Sequence, residues 1–231
     1  MSMVGELSYF LGLQIKQRSE GIFISQEKYA KNVVKEFGLD QCPHKRTPAT
    51  THVKVTKDVN GTVVDHKLYR SMIGSLLYLM TSRPDIAYVV DDRKSTFGGC
   101  FFVGNNIISW FSKKQNCVSL STAEAEYISA KSACTQIIWM NNMLQEYGFA
   151  QETMTLYCDN MSAIDISRNL VQYSRTKHIN IRHHFIRELV ENKVIRLYHI
   201  CSNLQLADIF TKPLDANTFE YLRTGLGFCR I

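Results

Sequence analysis

Apolar and polar positions alternate along two short segments near the N-terminus, a pattern typical of β-strands. The alternation covers Tyr9–Ile15 and Gly21–Ser25, and the polar stretch 17–21 between them predicts a hairpin turn. Beyond Ser25, which can cap a helix, large apolar residues recur every fourth position as far as Gly38, a residue type that often ends helices. This segment therefore predicts a β-hairpin followed by a helix.

The next stretch, 40–64, is polar, contains two of the four prolines and predicts a loop. It is followed by a leucine- and isoleucine-rich segment, Tyr69–Met80, which predicts a second helix ending near Pro84. The character of the chain then changes close to Asp91. We therefore expect two domains, residues 1–90 and 91–231.

The second domain predicts strands and helices in the order βββαβααβα. The predicted strands are Phe97–Val103, Ile107–Phe111, Cys117–Leu120, Thr155–Cys158 and Val194–Cys201. The predicted helices are Ser121–Tyr147, Ser162–Leu170, Ile179–Asn192 and a last one that starts within Leu204–Thr211 and is interrupted by Pro213. Gly104-Asn105-Asn106 predicts the turn between the first two strands. This order favours an α/β (α+β) fold, with a mixed sheet flanked by helices.

Composition narrows the function classes only moderately. Hydrophobic residues make up 45% of the chain, which is enough for a buried core, and the net charge of +6 is compatible with a polyanionic partner. The seven cysteines are scattered singly, which favours reduced thiols in the cytoplasm or nucleus over a zinc ribbon or a disulfide scaffold. Neither a secretory signal nor an apolar run of ~20 residues is evident, so we expect no membrane partner.

Three carboxylates stand at the ends of separate predicted elements. Glu126 lies early in the long helix, Asp159 follows a short apolar strand, and Asp208 opens the late helix. Acids that converge from separate elements can bind Mg²⁺, which prefers oxygen ligands. From spacing alone each acid can equally be a turn or capping residue. The neighbouring Glu124 illustrates this, because Ser121-Thr122-Ala123-Glu124 has capping-box spacing.

Several longer motifs resemble the C-terminal part of copia-type LTR retrotransposon Pol polyproteins. The segments similar to the RNase H region of that family are Lys94–Phe102, Ser109–Gln115, Ser119–Tyr127, Arg175–Phe185 and Leu206–Leu214. The segments similar to the region after the polymerase active site are Phe10–Ile15, Tyr69–Leu79 and Arg83–Ala87. The resemblance extends over nearly the whole chain, and the motifs occur in the family's order.

The resemblance implies that residues 1–90 are a reverse transcriptase thumb- or connection-like remnant and that residues 91–231 form an RNase H-like domain. It implies a two-metal Mg²⁺ site for hydrolysis of the RNA strand in RNA–DNA hybrids. Glu126, Asp159 and Asp208 match three of the family's four catalytic acids and metal ligands. Separately, the basic stretch Arg168–Arg196 favours contacts with the phosphates of the hybrid through Arg175, Lys177 and Arg182, and its alternative interpretation is a solvated helix face. No small-molecule cofactor is expected.

The fourth acid of the family has no counterpart here. It belongs to the first strand of the RNase H fold, which should lie between Val90 and Asp91, and several dozen residues are missing at that point. In the family this strand is the central one of the sheet, so its loss is expected to leave two neighbouring strands with unpaired backbone groups. Segment 85–92 has strand-like residues and ends in two acids, so one hypothesis places it in the missing strand's position, with Asp91 near the metal ions. The stretch Tyr88-Val89-Val90-Asp91-Asp92 is similar to a polymerase signature but contains an extra valine, and we expect no polymerase activity.

The sequence therefore predicts an RNase H-type, Mg²⁺-dependent endonuclease that is weakened or inactivated by loss of its first catalytic Asp. The alternative is a non-catalytic nucleic-acid-binding module left by a decayed element. In an intact element such a protein would work in a virus-like particle, in the cytoplasm or nucleus.

Overall fold

A computed structural model describes residues 8–49, 51, 61, 63–87, 96–115, 119, 121–149, 153–168 and 184–228. The chain divides into two compact units, one formed by residues 1–87 with 229–231 and the other by residues 88–228. Each unit contains both helices and strands, which confirms the predicted mixed α/β class.

The first unit begins with a three-stranded antiparallel sheet of β1 (Tyr9–Phe10), β2 (Leu13–Arg18) and β3 (Gly21–Ser25). The predicted β2–β3 hairpin is present, but the alternating segment before it is two strands instead of one. It is broken because Leu11 and Gly12 adopt left-handed backbone angles, with φ of 46° and 79°. A single extended strand was therefore the wrong prediction for this segment.

Two α-helices and a 3₁₀ helix at Pro84–Ile86 complete the regular structure of the described residues in this unit. Helix α1 spans Glu27–Glu36, and the Ser25 hydroxyl accepts a hydrogen bond from the Glu27 N–H at 3.1 Å. Helix α2 spans His66–Leu79 and begins earlier than its apolar pattern predicts, because the Asp65 carboxylate accepts hydrogen bonds from the N–H groups of Lys67 and Leu68.

Polar contacts join the ends of these helices. The buried side chain of Gln26 accepts a hydrogen bond from the Ser82 hydroxyl at 2.7 Å and donates one to the Tyr78 carbonyl at 3.4 Å. The fully buried carboxylate of Asp85 receives two hydrogen bonds of 2.8 Å from the guanidinium group of Arg83. A buried carboxylate needs such a partner to offset its lost hydration.

The second unit contains two separate strand pairs among its described residues. Strands β4 (Thr96–Val103) and β5 (Asn106–Lys114) are antiparallel, whereas β6 (Met154–Cys158) and β7 (Ile195–His199) are parallel. The turn predicted near Gly104 is present, with φ of 59° at that residue. Among the described residues no strand pairs with the remaining edges of β4 and β6, which therefore form two separate pairs.

Four α-helices accompany these strands among the described residues. They are α3 (Thr122–Glu146), α4 (Met161–Arg168), α5 (His184–Glu191) and α6 (Ala216–Gly225). The described ranges include no helix with the length and sustained apolarity needed to cross a lipid bilayer.

Helix α3 packs against both strand pairs and organises the main core. The buried side chains of this core come from α3, β4, β6, β7, α4 and α5: Phe101, Tyr127, Ala133, Cys134, Ile137, Met154, Cys158, Ala163, Ile164, Ile186, Ile195 and Leu197. A second cluster forms around α6, from Ile209, Phe210, Phe219, Leu222 and Leu226. These two clusters position the elements that carry the three predicted acids.

Two elements predicted for the second unit, a late α-helix and a strand at 117–120, are not found as predicted. The late α-helix within Leu204–Thr211 is wrong, since Leu206–Phe210 is a 3₁₀ turn. Proline at 213 cannot continue a helix, and α6 starts only after it, where the Asp215 carboxylate accepts two backbone hydrogen bonds. The predicted strand at 117–120 lies outside the described residues apart from Ser119, which belongs to no strand.

The N-terminus of α3 gives a test of this description. The Ser121 hydroxyl accepts a hydrogen bond from the Glu124 N–H at 3.1 Å, so Ser121→Ala should reduce the free energy of unfolding of this unit by about 1 kcal/mol. Ser121→Asp keeps an acceptor at this position and should retain most of that stability. Urea unfolding followed by circular dichroism measures both changes; equal losses in the two variants would contradict a capping role.

Candidate metal centre

Asp159 is held at the junction between strand β6 and helix α4. The carbonyl of Cys158 accepts a hydrogen bond from the Ile200 N–H at 3.1 Å, which continues the β6–β7 ladder to its end. One residue later, the Asn160 side chain accepts a hydrogen bond from the Ala163 N–H at 3.1 Å at the start of α4. The backbone on both sides of Asp159 is therefore fixed.

Glu126 lies in the second turn of α3, whose start is anchored by a buried amide. The Gln115 side chain is only 2% exposed and donates a hydrogen bond to the Ala125 carbonyl at 2.8 Å. Its oxygen accepts a hydrogen bond from the Ser119 hydroxyl at 2.6 Å. Sequence reasoning gave Gln115 no role, because its partners are ten and four residues away and are joined only by the fold.

Asp208 lies in the 3₁₀ turn at Leu206–Phe210, which is fastened to the β4–β5 hairpin. The Ser112 hydroxyl donates a hydrogen bond to the Phe210 carbonyl at 2.7 Å. Gly98 on β4 permits the close approach of this turn, since a Cβ atom there would lie 3.2 Å from the Ala207 carbonyl oxygen and 2.9 Å from a Thr211 methyl carbon. The hairpin therefore determines where Asp208 stands.

The structure brings two of the three predicted acids into direct proximity. One ligand atom each from Glu126, Cys158 and Asp159 lie within 4.8 Å of one another. Asp208 is outside this group of three, although its negative charge acts on Glu126. Its carboxylate is paired with the ammonium group of Lys212 at 2.6 Å.

Burial and mutual repulsion change the proton affinity of these groups. Burial raises the pKa of Glu126 to about 7, and the charges of Asp159 and Asp208 contribute to this rise. Burial also raises the pKa of Asp208 above its ordinary value, while the hydrogen bond and charge of Lys212 oppose that change. This crowding of acidic groups is the arrangement that a bound cation would relieve.

Cys158 and Lys212 are members of the site that the sequence did not indicate. Burial raises the pKa of the Cys158 thiol to about 11, so the group is protonated near neutral pH and is a poor metal ligand. Lys212 follows Asp208 by four residues, and this spacing was the available signal for an ion pair. The carboxylates are therefore the groups suited to a hard cation such as Mg²⁺.

A cavity of about 1070 Å³ adjoins these acids. Its walls include the whole of β4 on one side and the whole of β6 on the other, and one face of α3 also lines it. Glu126, Asp159 and Asp208 line it as well, at the end toward which β6 runs.

Other residues predicted for the site fall outside the described part of the chain. They are the basic residues Arg175, Lys177 and Arg182, and Asp91, for which a rescue of the missing acid was hypothesised. These assignments stay predictions.

The chain is similar along 98% of its length to plant transposon proteins. It is 32% identical to the retrovirus-related Pol polyprotein from transposon TNT 1-94 of Nicotiana tabacum and 29% identical to that from transposon RE2 of Arabidopsis thaliana. A yeast relative, the transposon Ty1-NL2 Gag-Pol polyprotein of Saccharomyces cerevisiae, is 26% identical over 56% of the chain and 7% of its own length. No family model and no solved structure matches the chain.

The lengths of these matches add two facts. The chain spans 22% of the tobacco relative and 19% of the Arabidopsis relative, about a fifth of each. The alignment with the tobacco protein extends over 290 residues, whereas the whole chain has 231, so at least 59 residues of the relative have no counterpart here. Relative to that protein, the chain lacks internal sequence.

The raised pKa of Glu126 predicts that stability falls as pH rises in metal-free buffer. The folded protein retains a proton on Glu126 that the unfolded chain releases near pH 4.5. The resulting stabilisation is complete below pH 4.5 and is lost as the pH rises through about 7, with an upper limit of about 3 kcal/mol. Glu126→Gln should flatten this dependence and be more stable than the native protein at pH 8.

Urea unfolding between pH 4.5 and 8.5 in the presence of EDTA measures this effect. Glu124→Gln is the matched control, since it removes a neighbouring carboxylate of the same helix, and it should preserve the native slope. A native slope that persists in Glu126→Gln would show that another group is responsible.

Proposed function

We propose that this chain, which derives from a copia-type retrotransposon Pol polyprotein, carries in its second unit an RNase H-type site for Mg²⁺-dependent hydrolysis of RNA in RNA–DNA hybrids. The observation that carries the proposal is the meeting of Glu126 and Asp159 from separate elements, with Asp208 acting on them electrostatically. The activity is reduced in this chain because the first-strand acid implied by the family resemblance has no counterpart.

The groups present fit a magnesium ion. Glu126 and Asp159 supply closely placed carboxylate oxygens, and the protonated Cys158 thiol leaves the ligand set to oxygen. Bound Mg²⁺ supplies Lewis-acid stabilisation of the phosphate and a water of lowered pKa. Glu126, Asp159 and Asp208 are the residues that would hold it.

The remaining chemistry belongs to the side chains around the acids. Before a cation binds, Glu126 can release or accept a proton near neutral pH, because its pKa is about 7. Lys212 neutralises Asp208, and the side chain of Lys212 is half exposed. If a cation replaces the Lys212 ammonium group at Asp208, Lys212 becomes free to contact a phosphate group of the hybrid.

Cleavage of a labelled RNA–DNA hybrid tests the proposal. The native protein should cleave slowly in Mg²⁺ and not at all in EDTA. Asp159→Asn should slow cleavage by more than about tenfold because it removes a metal-binding charge. Glu124→Gln should change the rate less than about twofold, since Glu124 is the last residue of the capping box at the start of α3.

A second candidate function is nucleic-acid binding without catalysis. It is favoured by the Lys212–Asp208 ion pair, which already neutralises the third acid without a metal. Its signature would be hybrid binding that weakens with salt, measured by fluorescence anisotropy, in a folded protein that shows no Mg²⁺-dependent cleavage. That result would contradict the nuclease proposal and support the binding module.

A further inference from the structure

Strands β4 and β6 present unpaired edges to the same cavity. Within the described residues β4 is bonded only to β5 and β6 only to β7, and each strand lines the cavity along its full length. Strand edges carry N–H and C=O groups that need partners when water is displaced. We call the space between these two edges the β4–β6 gap.

The length of the gap suits a short additional strand. Strand β6 with the following Asp159 extends over six residues, from Met154 to Asp159, and lines the cavity throughout. Because paired strands have the same rise per residue, a strand of about six residues would match this edge.

The walls of the gap are more apolar than polar. The α3 wall is mainly apolar and includes Ala130, Ala133 and Ile137. An occupant with a free backbone and with apolar side chains at alternate positions would satisfy both the edges and this wall.

Charge distinguishes one end of the gap from the rest. Glu126, Asp159 and Asp208 line that end, and Lys212 offsets only part of their charge. A basic side chain at the matching end of an inserted strand would complement these acids. An acidic side chain there would be repelled.

We infer that the second unit binds an extended peptide segment of another polypeptide in the β4–β6 gap, as a strand paired with both edges. The segment has about six residues, with apolar side chains toward α3 and one arginine or lysine beside the three acids. The tobacco relative has at least 59 residues without a counterpart here, so this chain lacks sequence that is long enough to include one such strand. The inference goes beyond the proposed nuclease function and does not depend on it.

A synthetic peptide tests this inference on the full-length protein. The probe is a fluorescein-labelled hexapeptide of alternating valine and threonine with arginine as its last residue, and a second probe has arginine as its first residue. EDTA is present, so that metal binding does not contribute. We expect saturable one-to-one binding of at least one probe, and the preferred probe gives the direction of the inserted strand.

Two altered peptides show whether binding occurs by strand pairing. Proline at the third position removes a backbone N–H and should weaken binding by about tenfold or more. Glutamate in place of the arginine should weaken it by about fivefold or more, because it adds a fourth negative charge. Hydrogen exchange should slow in β4 and β6 on binding and stay unchanged in β1–β3.

A protein variant tests the location independently. Ser129 lines the gap on α3, and Ser129→Trp should weaken peptide binding by about tenfold or more by occupying the space. Thr135→Trp is the matched control on an exposed position of the same helix and should bind normally. Circular dichroism confirms that both variants are folded.

Several results would overturn the inference. The first is that the folded native protein does not bind either probe at millimolar concentration. The second is that the proline peptide binds as tightly as the peptide without proline. The third is that the peptide slows hydrogen exchange only in β1–β3. A dimer found by sedimentation that excludes the peptide would assign the gap to a second copy of the chain. Binding only to a variant with residues 88–95 replaced by glycine and serine would assign the gap to that segment.

Discussion

Both strand pairs of the second unit depend on their packing against helix α3. The helix begins at the capping residue Ser121 and extends to Glu146, and it packs against both β4 and β6 in one core. In a continuous sheet, backbone hydrogen bonds would also connect the two pairs. Here, among the described residues, side-chain packing on one helix connects them.

The acidic cluster follows from the same arrangement. Glu126 is carried by α3, Asp159 by the end of β6, and Asp208 by a turn fastened to the hairpin through Ser112 and Gly98. None of the three depends on backbone pairing across the β4–β6 gap. Loss of the family's first strand would therefore remove the acid that it carries and leave the edges of β4 and β6 unpaired. The elements that position Glu126, Asp159 and Asp208 would remain.

Clustering acids has an energetic cost that the protein offsets only in part. Burial and repulsion raise the pKa of Glu126 to about 7, and Lys212 is the cation that opposes this rise. Residues that bind a cation or a basic partner are commonly held in such unfavourable proximity, because the ligand relieves it. The magnesium proposal and the peptide proposal both draw on this residual negative charge, and an ion and a basic side chain would compete for it.

Local patterns in the sequence predicted the elements whose stability is decided within a few residues. The bounds of α3 follow from Ser121 and Gly148, and the hairpin turn follows from the left-handed preference of Gly104. Through family resemblance, the motifs also identified Glu126, Asp159 and Asp208 as candidate metal-binding acids. Periodicity was less informative near residue 208, because a 3₁₀ turn and an α-helix share their first apolar spacings.

What the sequence determined by itself was thus the capped helices, the turns, the mixed fold class and the relationship to retrotransposon proteins. Only the tertiary structure decided that the Cys158 thiol lies beside Glu126, that buried Gln115 anchors the start of α3, and that the two unpaired strand edges line one cavity with the acids. Each of these depends on contacts between segments distant in the chain or on burial of a charge. Such contacts arise when the segments pack together, and no local pattern of residues encodes them.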